Sequence, residues 1–326
     1  MAERVIRAGV ELTPAEVEEL GLERPDYEVQ LESLNQWQLA WRRFKRHRLA
    51  VVGSAIFLSI VAVGILGPVL LHYDFRVIPH ANQIVYAGRA PSWVSGNWDP
   101  PLLMGETARL QRDVFTLVVN GARLSLVIGV GATIISVILG ALVGGFAGYF
   151  GGAVDWVLMR IVDSLLSLPL LFIILVAAQF LGSGSWFSLM LIFGAFGWLG
   201  LSRLVRSLFL SLREEDFVDA ARAVGVSDIR IILRHILPNT LSPIIVAATL
   251  SVAGVIIGEA FVSFVGFGVE LNQPTWGNIL TNSLDFIQQG NWWWAFFPGF
   301  AIVLTVLSIN FMGDGLRDAL DPRARI

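Results

Sequence analysis

Asp219-Ala220-Ala221-Arg222-Ala223-Val224-Gly225, followed nine residues later by His235-Ile236-Leu237-Pro238, is patterned polar sequence lodged between two long apolar runs. With Arg213–Gly225 taken as a helix, Phe217, Ala220, Ala221 and Val224 fall at i, i+3, i+4 and i+7 and form one narrow apolar face. Two alanines at its centre make the face flat. Glu214, Glu215 and Asp216 cluster at the N-terminus, where negative charge suits the helix dipole. Gly225 reads as a left-handed stop. Ser227 is placed to cap a second helix, in which Ile229, Ile232, Leu233 and Ile236 repeat the helical spacing. Pro238 is expected to break that helix and to push Leu237 out of the helical region. The first helix carries too little apolar surface to hold a bilayer. Its shape suits a groove on a soluble partner instead.

The flanking runs set the class of protein. Of 326 residues, 55% are hydrophobic and 15% charged, against about a quarter charged in a soluble domain. The net charge of −3 says less than its distribution. No cysteine is present, which excludes disulfides, thiol catalysis and cysteine-based zinc sites. No signal peptide is apparent, because the first apolar run starts near Leu49 after a long charged segment.

A membrane span needs about 20 apolar residues. Six candidates satisfy this, at roughly Leu49–Leu71, Leu124–Phe146, Leu165–Leu181, Trp186–Leu204, Leu241–Val265 and Trp294–Met312. The third has Pro169 near its start and Arg160 and Asp163 before it, which read as an i,i+3 ion pair. Lys and Arg crowd the segment before the first span, the 205–240 loop and the C-terminal tail, and Gly266–Trp293 has none. By the positive-inside rule both termini and the 205–240 loop face the cytoplasm of a multi-pass plasma (inner) membrane protein.

The chain divides on this reading into an acidic, weakly structured tail over 1–33, an interfacial helix over 34–48, the first span over 49–71 and an external region over 72–120. A five-span core follows over 121–316, with the polar loop at 213–238, and then a tail over 317–326. In the interfacial helix Leu34, Trp37, Trp41 and Phe44 form an apolar stripe among basic residues, which suits a lipid surface, with a partner protein as the alternative. Gly140, Gly144 and Gly148, and likewise Gly254 and Gly258, sit at helical spacing and read as close packing faces. Trp186 and Trp292–Trp294 read as interfacial anchors. Asn310 and Asp314 read as packing and capping residues.

The polar loop resembles the EAA loop of ABC importer permeases, with spacing E-A-A-x3-G-x9-I-x-L-P. Asp219 stands for the usual Glu and His235 for the first Ile. More of the chain is similar to the peptide permeases of the DppC/OppC type. Trp41-Arg42-Arg43-Phe44-Lys45-Arg46, Asn120-Gly121-Ala122-Arg123-Leu124-Ser125-Leu126 and Glu259-Ala260-Phe261-Val262-Ser263-Phe264-Val265-Gly266-Phe267-Gly268 carry the likeness. Pro274-Thr275-Trp276-Gly277-Asn278 and the Gly313–Arg323 stretch add to it. The outer segment departs from the family, with Gly105-Glu106-Thr107 and Gln111-Arg112-Asp113.

The resemblance implies an all-α integral membrane protein with the type I ABC importer permease fold, six transmembrane helices preceded by an interfacial amphipathic helix. It also implies a non-catalytic permease subunit of an ATP-driven importer of di- or oligopeptides. The implied partners are a second permease, two cytoplasmic ATPase subunits, an external solute-binding protein and membrane lipid, with no nucleic acid. The ATPase-docking residues it implies are Phe217, Asp219, Ala220, Ala221, Val224, Gly225, Leu237 and Pro238. The chain itself carries no Walker A phosphate loop. No cofactor is therefore assigned to it, and ATP and magnesium fall to the partner ATPases. Relatives that move nickel, glutathione or oligosaccharides keep the solute open.

Glu259 is the clearest charge inside a span, and Ser263 lies one turn on. Such a carboxylate either lines an outer gate or substrate path, or accepts hydrogen bonds from Ser263 or the loop backbone. A membrane enzyme fits poorly, because none of His47, His72, His80 and His235 lies deep in a span and no zinc or serine-hydrolase motif occurs. A secondary transporter would leave the docking helix without a purpose.

Overall fold

The computed structural model describes residues 5–7, 10–12, 36–70, 88–98, 102–107, 112–181, 184–270, 272–281 and 283–320. Two compact units emerge, Met1–Leu39 and Ala40–Ile326. Within the first, β1 (Val5–Arg7) and β2 (Val10–Leu12) form an antiparallel hairpin in the register Val5↔Leu12. This small hairpin falls in the stretch read as a weakly structured tail. Helix α1 (Gln36–Arg46) follows; Leu34 lies outside the described residues.

Helix α2 (Arg48–Leu70) is the first span. The chain breaks between α1 and α2 at His47, whose Nδ1 accepts a hydrogen bond from the Ala50 amide at 3.1 Å and so caps the new helix. Phe44 is buried against Ala50 and Ala319, whereas Trp41 is 57% exposed, under the Lys45 ammonium. The stripe read as facing lipid is therefore split. Trp41 stands outward and Phe44 packs on the protein.

A single turn, α3 (Ser92–Ser95), precedes α4 (Val114–Phe150), which starts ten residues before the expected span, within the stretch read as loop. Asp113 explains the start. Its carboxylate accepts from the Thr116 amide at 2.8 Å and from the Thr116 hydroxyl at 2.6 Å, the N-cap arrangement. At 37 residues, α4 is about 55 Å long and outreaches a hydrocarbon core of about 30 Å.

The expected third span is not one helix. α5 (Gly152–Leu166) and α6 (Leu170–Leu181) are bent by 84° at the break before Pro169. Proline disfavours the helical region for Leu168, and α6 alone, at about 18 Å, is too short to cross. Nor do Arg160 and Asp163 pair. Arg160 lies over the Trp156 ring, and Asp163 binds Arg203 across to α7 (Trp186–Leu212).

α8 (Asp216–Ala223) and α9 (Asp228–Ile231) lead through a π-helical turn, Ile232–Ile236, into α10 (Leu237–Phe264). Pro238 does not break this helix. Leu237 keeps helical angles (φ −55°, ψ −44°), and its N–H reaches back five residues to the Ile232 carbonyl. The wider turn makes room for a ring that would otherwise crowd a carbonyl one turn back. α11 (Trp276–Thr281), α12 (Leu284–Ile287) and α13 (Trp293–Leu320) complete the chain. Asp314 is exposed inside α13, so it caps nothing. Among the described residues, five helices are long and apolar enough to cross a membrane, or six spans if the bent pair counts as one.

α4 packs along α7, α2 along α13, and α10 against both α4 and α13. Glycine sets the close approaches on α4. A Cβ on Gly144 would strike the Ser202 carbonyl, and one on Gly148 would lie 2.6 Å from Phe209 Cβ. Gly258 likewise abuts Phe193, but Gly254 faces open space and makes no packing face. Trp293 and Trp294, read as anchors, are buried in the core with Leu117, Trp276 and Ile309, and Trp292 is exposed. A second cluster, among Tyr149, Val205, Phe209, Val218, Ala221, Ile231 and Ile236, joins the ends of α4 and α7 to the polar loop.

Candidate functional site

The polar loop is a helix held on one side and bare on the other. Val218 and Ala221 turn inward to Val205, Phe209 and Ile231. Phe217, Ala220 and Val224 point away from the protein, with Phe217 40% and Val224 79% exposed. Ala221 thus leaves the outward face that its spacing suggested. At i+4 from Phe217 it sits at the edge of that stripe, and the neighbouring bundle claims it. Beyond the turn, Ile229 and Leu233 are also exposed, at 65% and 56%, while Ile231 and Ile236 are buried. Phe217, Val224, Ile229 and Leu233 thus put four large apolar side chains on the exposed face of one short loop among the described residues. Monomeric soluble surfaces rarely leave such groups clustered.

The turn between the two helices is a Schellman motif. The Val226 N–H bonds to the Ala221 carbonyl at 3.1 Å, the Gly225 N–H to the Arg222 carbonyl at 2.9 Å, and Gly225 has φ +77°. Ser227 occupies the N-cap of α9, but its hydroxyl makes no capping hydrogen bond. Asp219 is exposed and paired with Arg222 at 3.2 Å. Leu237 is half-buried at the edge of the same cluster, and Pro238 is exposed.

Several polar contacts fasten the loop to the bundle. The Tyr149 hydroxyl donates to Asp228 Oδ1 at 2.6 Å, and the Arg222 guanidinium lies 5.5 Å from the centre of the Tyr149 ring. The Arg213 guanidinium donates to the Gly148 carbonyl at 3.2 Å. Nearby, Asp155 on α5 receives Arg206 of α7 in a two-toothed pair, one arm at 2.6 Å. Spacing within the loop does not reveal these ties, since each joins residues far apart in sequence.

Glu259 and Ser263 lie near the other end of α10, and both are buried. Ser263 donates to Glu259 Oε1 at 2.7 Å, and Ser125 of α4 donates to Oε2 at 3.3 Å. The Ser125 hydroxyl in turn accepts from the Trp276 amide at 3.1 Å, and Trp276 Nε1 donates to the Val118 carbonyl at 3.0 Å. Thr275 and Asn278 close a capping box at the start of α11. The Thr275 amide donates to Asn278 Oδ1 at 3.0 Å and the Asn278 amide to Thr275 Oγ1 at 3.2 Å. A Cβ on Gly277 would lie 2.6 Å from Ala260 Cα, so this segment is pressed onto α10. Glu259 is therefore the acceptor at the centre of a buried knot joining α4, α10 and α11. The Pro274–Asn278 motif pointed to this place without disclosing that its tryptophan and asparagine are structural clamps.

The segment before α4 is closed by a buried acid as well. Arg89 reaches both oxygens of Glu106 at 3.0 and 3.1 Å, and the Glu106 carbonyl accepts from Trp293 Nε1 at 3.0 Å.

Comparison with known proteins agrees with this architecture. Residues 136–326 match the family described as binding-protein-dependent transport system inner membrane component, and residues 35–89 match the N-terminal TM domain of oligopeptide transport permease C. The dipeptide transport system permease protein DppC of Bacillus subtilis is 37% identical over 91% of this chain and 89% of its own length. That of Alkalihalophilus pseudofirmus is 38% identical over 92% and 94%. The oligopeptide transport system permease protein OppC of Haemophilus influenzae is 36% identical over 91% and 92%. With more than half the chain inside the family match, and relatives above a third identical along nearly all of it, this multi-pass inner membrane protein belongs to the binding-protein-dependent transport system inner membrane components, as a non-catalytic permease of the DppC/OppC kind.

Proposed function

We propose that the chain is one of two permease subunits of an ATP-driven importer of di- or oligopeptides, and that α8 is the element through which a cytoplasmic ATPase moves it. The observation that carries the reading is the two-sided character of α8. Val218 and Ala221 bind it to the bundle, while Phe217, Ala220 and Val224 are offered outward. A groove on a soluble subunit buries such a face at little entropic cost, because the helix is already formed. The crowding of Lys and Arg supports placing this loop and both termini in the cytoplasm.

In this scheme two ATPases carry ATP and magnesium, and their closure draws the loops of the two permeases together. The buried cluster around Val205, Phe209 and Ile236 makes α8 move with α7 and α10, so displacement of the loop tilts long helices rather than bending a flexible tether. An external binding protein delivers the solute to the opened pathway. Glu259 and Ser263 brace the helices at the far end, and on this reading their contribution to an outer gate is rigidity rather than contact with solute. The peptide assignment draws on the names of the relatives, which are dipeptide and oligopeptide permeases.

Val224→Asp and Phe217→Asp test the docking. Each places a charge on the outward face and spares the chain's own core, so the permease pair is expected to fold and insert while the ATPases no longer co-purify. Unchanged co-purification and uptake in both would refute the docking role. Uptake of labelled peptides, measured beside oligosaccharide, nickel and glutathione, identifies the solute, and transport of a non-peptide alone would refute the peptide assignment.

A further inference from the structure

The polar loop meets the bundle through apolar packing and a few polar ties, and one residue of α4 takes part in two of those ties. Tyr149 is the next-to-last residue of α4, 5% exposed, and packed among Val205, Phe209, Val218 and Ile231. Its hydroxyl donates to the carboxylate of Asp228, the first residue of α9. Its ring lies under the guanidinium of Arg222, which belongs to α8 and is itself paired with Asp219. A single side chain at the end of the longest helix thus touches both helices of the loop, one on each side of the Gly225 turn. Arg213 adds a main-chain tie from the start of the loop, to the Gly148 carbonyl one residue earlier.

We propose that Tyr149 is the positioning residue that makes α8 and α9 move as one body with α4, so that work done on the loop reaches the pathway. The inference rests on the importer reading above. The physical reason is directional. Apolar packing resists separation of the loop from the bundle but resists sliding poorly. A hydrogen bond to an ionised acceptor fixes orientation as well as distance. The two contacts of Tyr149 act at different points, on Asp228 and on Arg222, so together they resist rotation of the loop about α4. Without the hydroxyl the ring still fills its place in the cluster. The loop then stays docked but slips under load, and ATP is hydrolysed without a matching movement of solute.

Tyr149→Phe removes the hydroxyl and keeps the ring. The importer carrying it, assembled with its second permease, ATPases and binding protein in liposomes, is compared with wild type for ATPase retention and for labelled tri-alanine moved per ATP hydrolysed. Retention is expected to be unchanged, and solute moved per ATP to fall at least about threefold, the scale set by loss of one hydrogen bond. Asp228→Ala is expected to lower the ratio similarly, and Tyr149→Phe is expected to add nothing further to it, as befits two ends of one bond. An unchanged ratio in Tyr149→Phe overturns the inference. So does a loss of uptake that only follows a loss of assembled complex, because that is the mark of a merely structural residue. Additive effects in the double variant overturn it too. A wild-type chain that neither retains ATPases nor moves the probe overturns the importer reading, and this inference with it. A competent wild type matched by Tyr149→Phe overturns this inference alone.

Discussion

Gly148→Ala isolates the close approach of α4 and α7. The new Cβ would lie 2.6 Å from Phe209 Cβ, 2.7 Å from the Arg206 carbonyl oxygen and 3.2 Å from Arg206 Cα. Carbon atoms pack at about 3.5–4.0 Å, so the helices must separate locally by about 1 Å, against a backbone that cannot swing aside as a side chain can. Overpacking of this kind costs about 1–3 kcal/mol, and alanine in a helix returns roughly 0.5–1 kcal/mol relative to glycine. Gly200→Ala, on α7, is the matched control, since nothing lies within 4 Å of the Cβ it would add. The propensity gain is common to both, so the difference between them is the steric cost, about 1–3 kcal/mol in favour of the Gly200 variant. Unfolding of the purified chain in detergent by rising SDS fraction measures both against wild type. Equal midpoints, or a Gly148 variant the more stable of the two, would refute the close packing of these helices.

Further outcomes follow from the acids and their partners. Glu259→Ala leaves the Ser263 and Ser125 hydroxyls without their acceptor and is expected to cost about 1–3 kcal/mol in the same unfolding assay, whereas Glu259→Gln keeps an acceptor oxygen and costs less. An alanine variant as stable as wild type would show that the knot carries no load. Arg206→Ala strands Asp155, only 17% exposed, and is expected to cost about 1–3 kcal/mol. Arg203→Ala breaks a pair that is about half exposed on both sides and is expected to cost at most about 1 kcal/mol. Equal losses in the two arginine variants would contradict this ranking.

Sequence alone determined the class of fold, the approximate place of the spans and the existence of a helix in the polar loop. Each rests on a local signal. Hydrocarbon thickness sets the length of an apolar run, and helical periodicity sets a face. A positive φ selects glycine, and Gly225 indeed has φ +77°. The first span is legible almost to the residue, because among the described residues it packs along α13 and α4 and is otherwise largely exposed, so its apolar run alone sets its length. What only the tertiary structure decided depends on which neighbour arrives. Ala221 and Phe217 share an apolar stripe in the sequence, yet one faces the bundle and the other stands bare, because the ends of α4 and α7 occupy one flank of the helix. Pro238 ought to have ended a helix, but a π turn absorbs its ring, and periodicity does not encode that accommodation. Trp293 and Trp294 have the composition of interfacial anchors and the burial of core residues, since the segment before α4 closes over Trp293 through Glu106 and Phe286 stacks on Trp294. The ties of Tyr149 to Asp228 and of Glu259 to Ser125 span 79 and 134 positions. Contacts of that range leave no periodic trace, and the packing of whole helices brings them together.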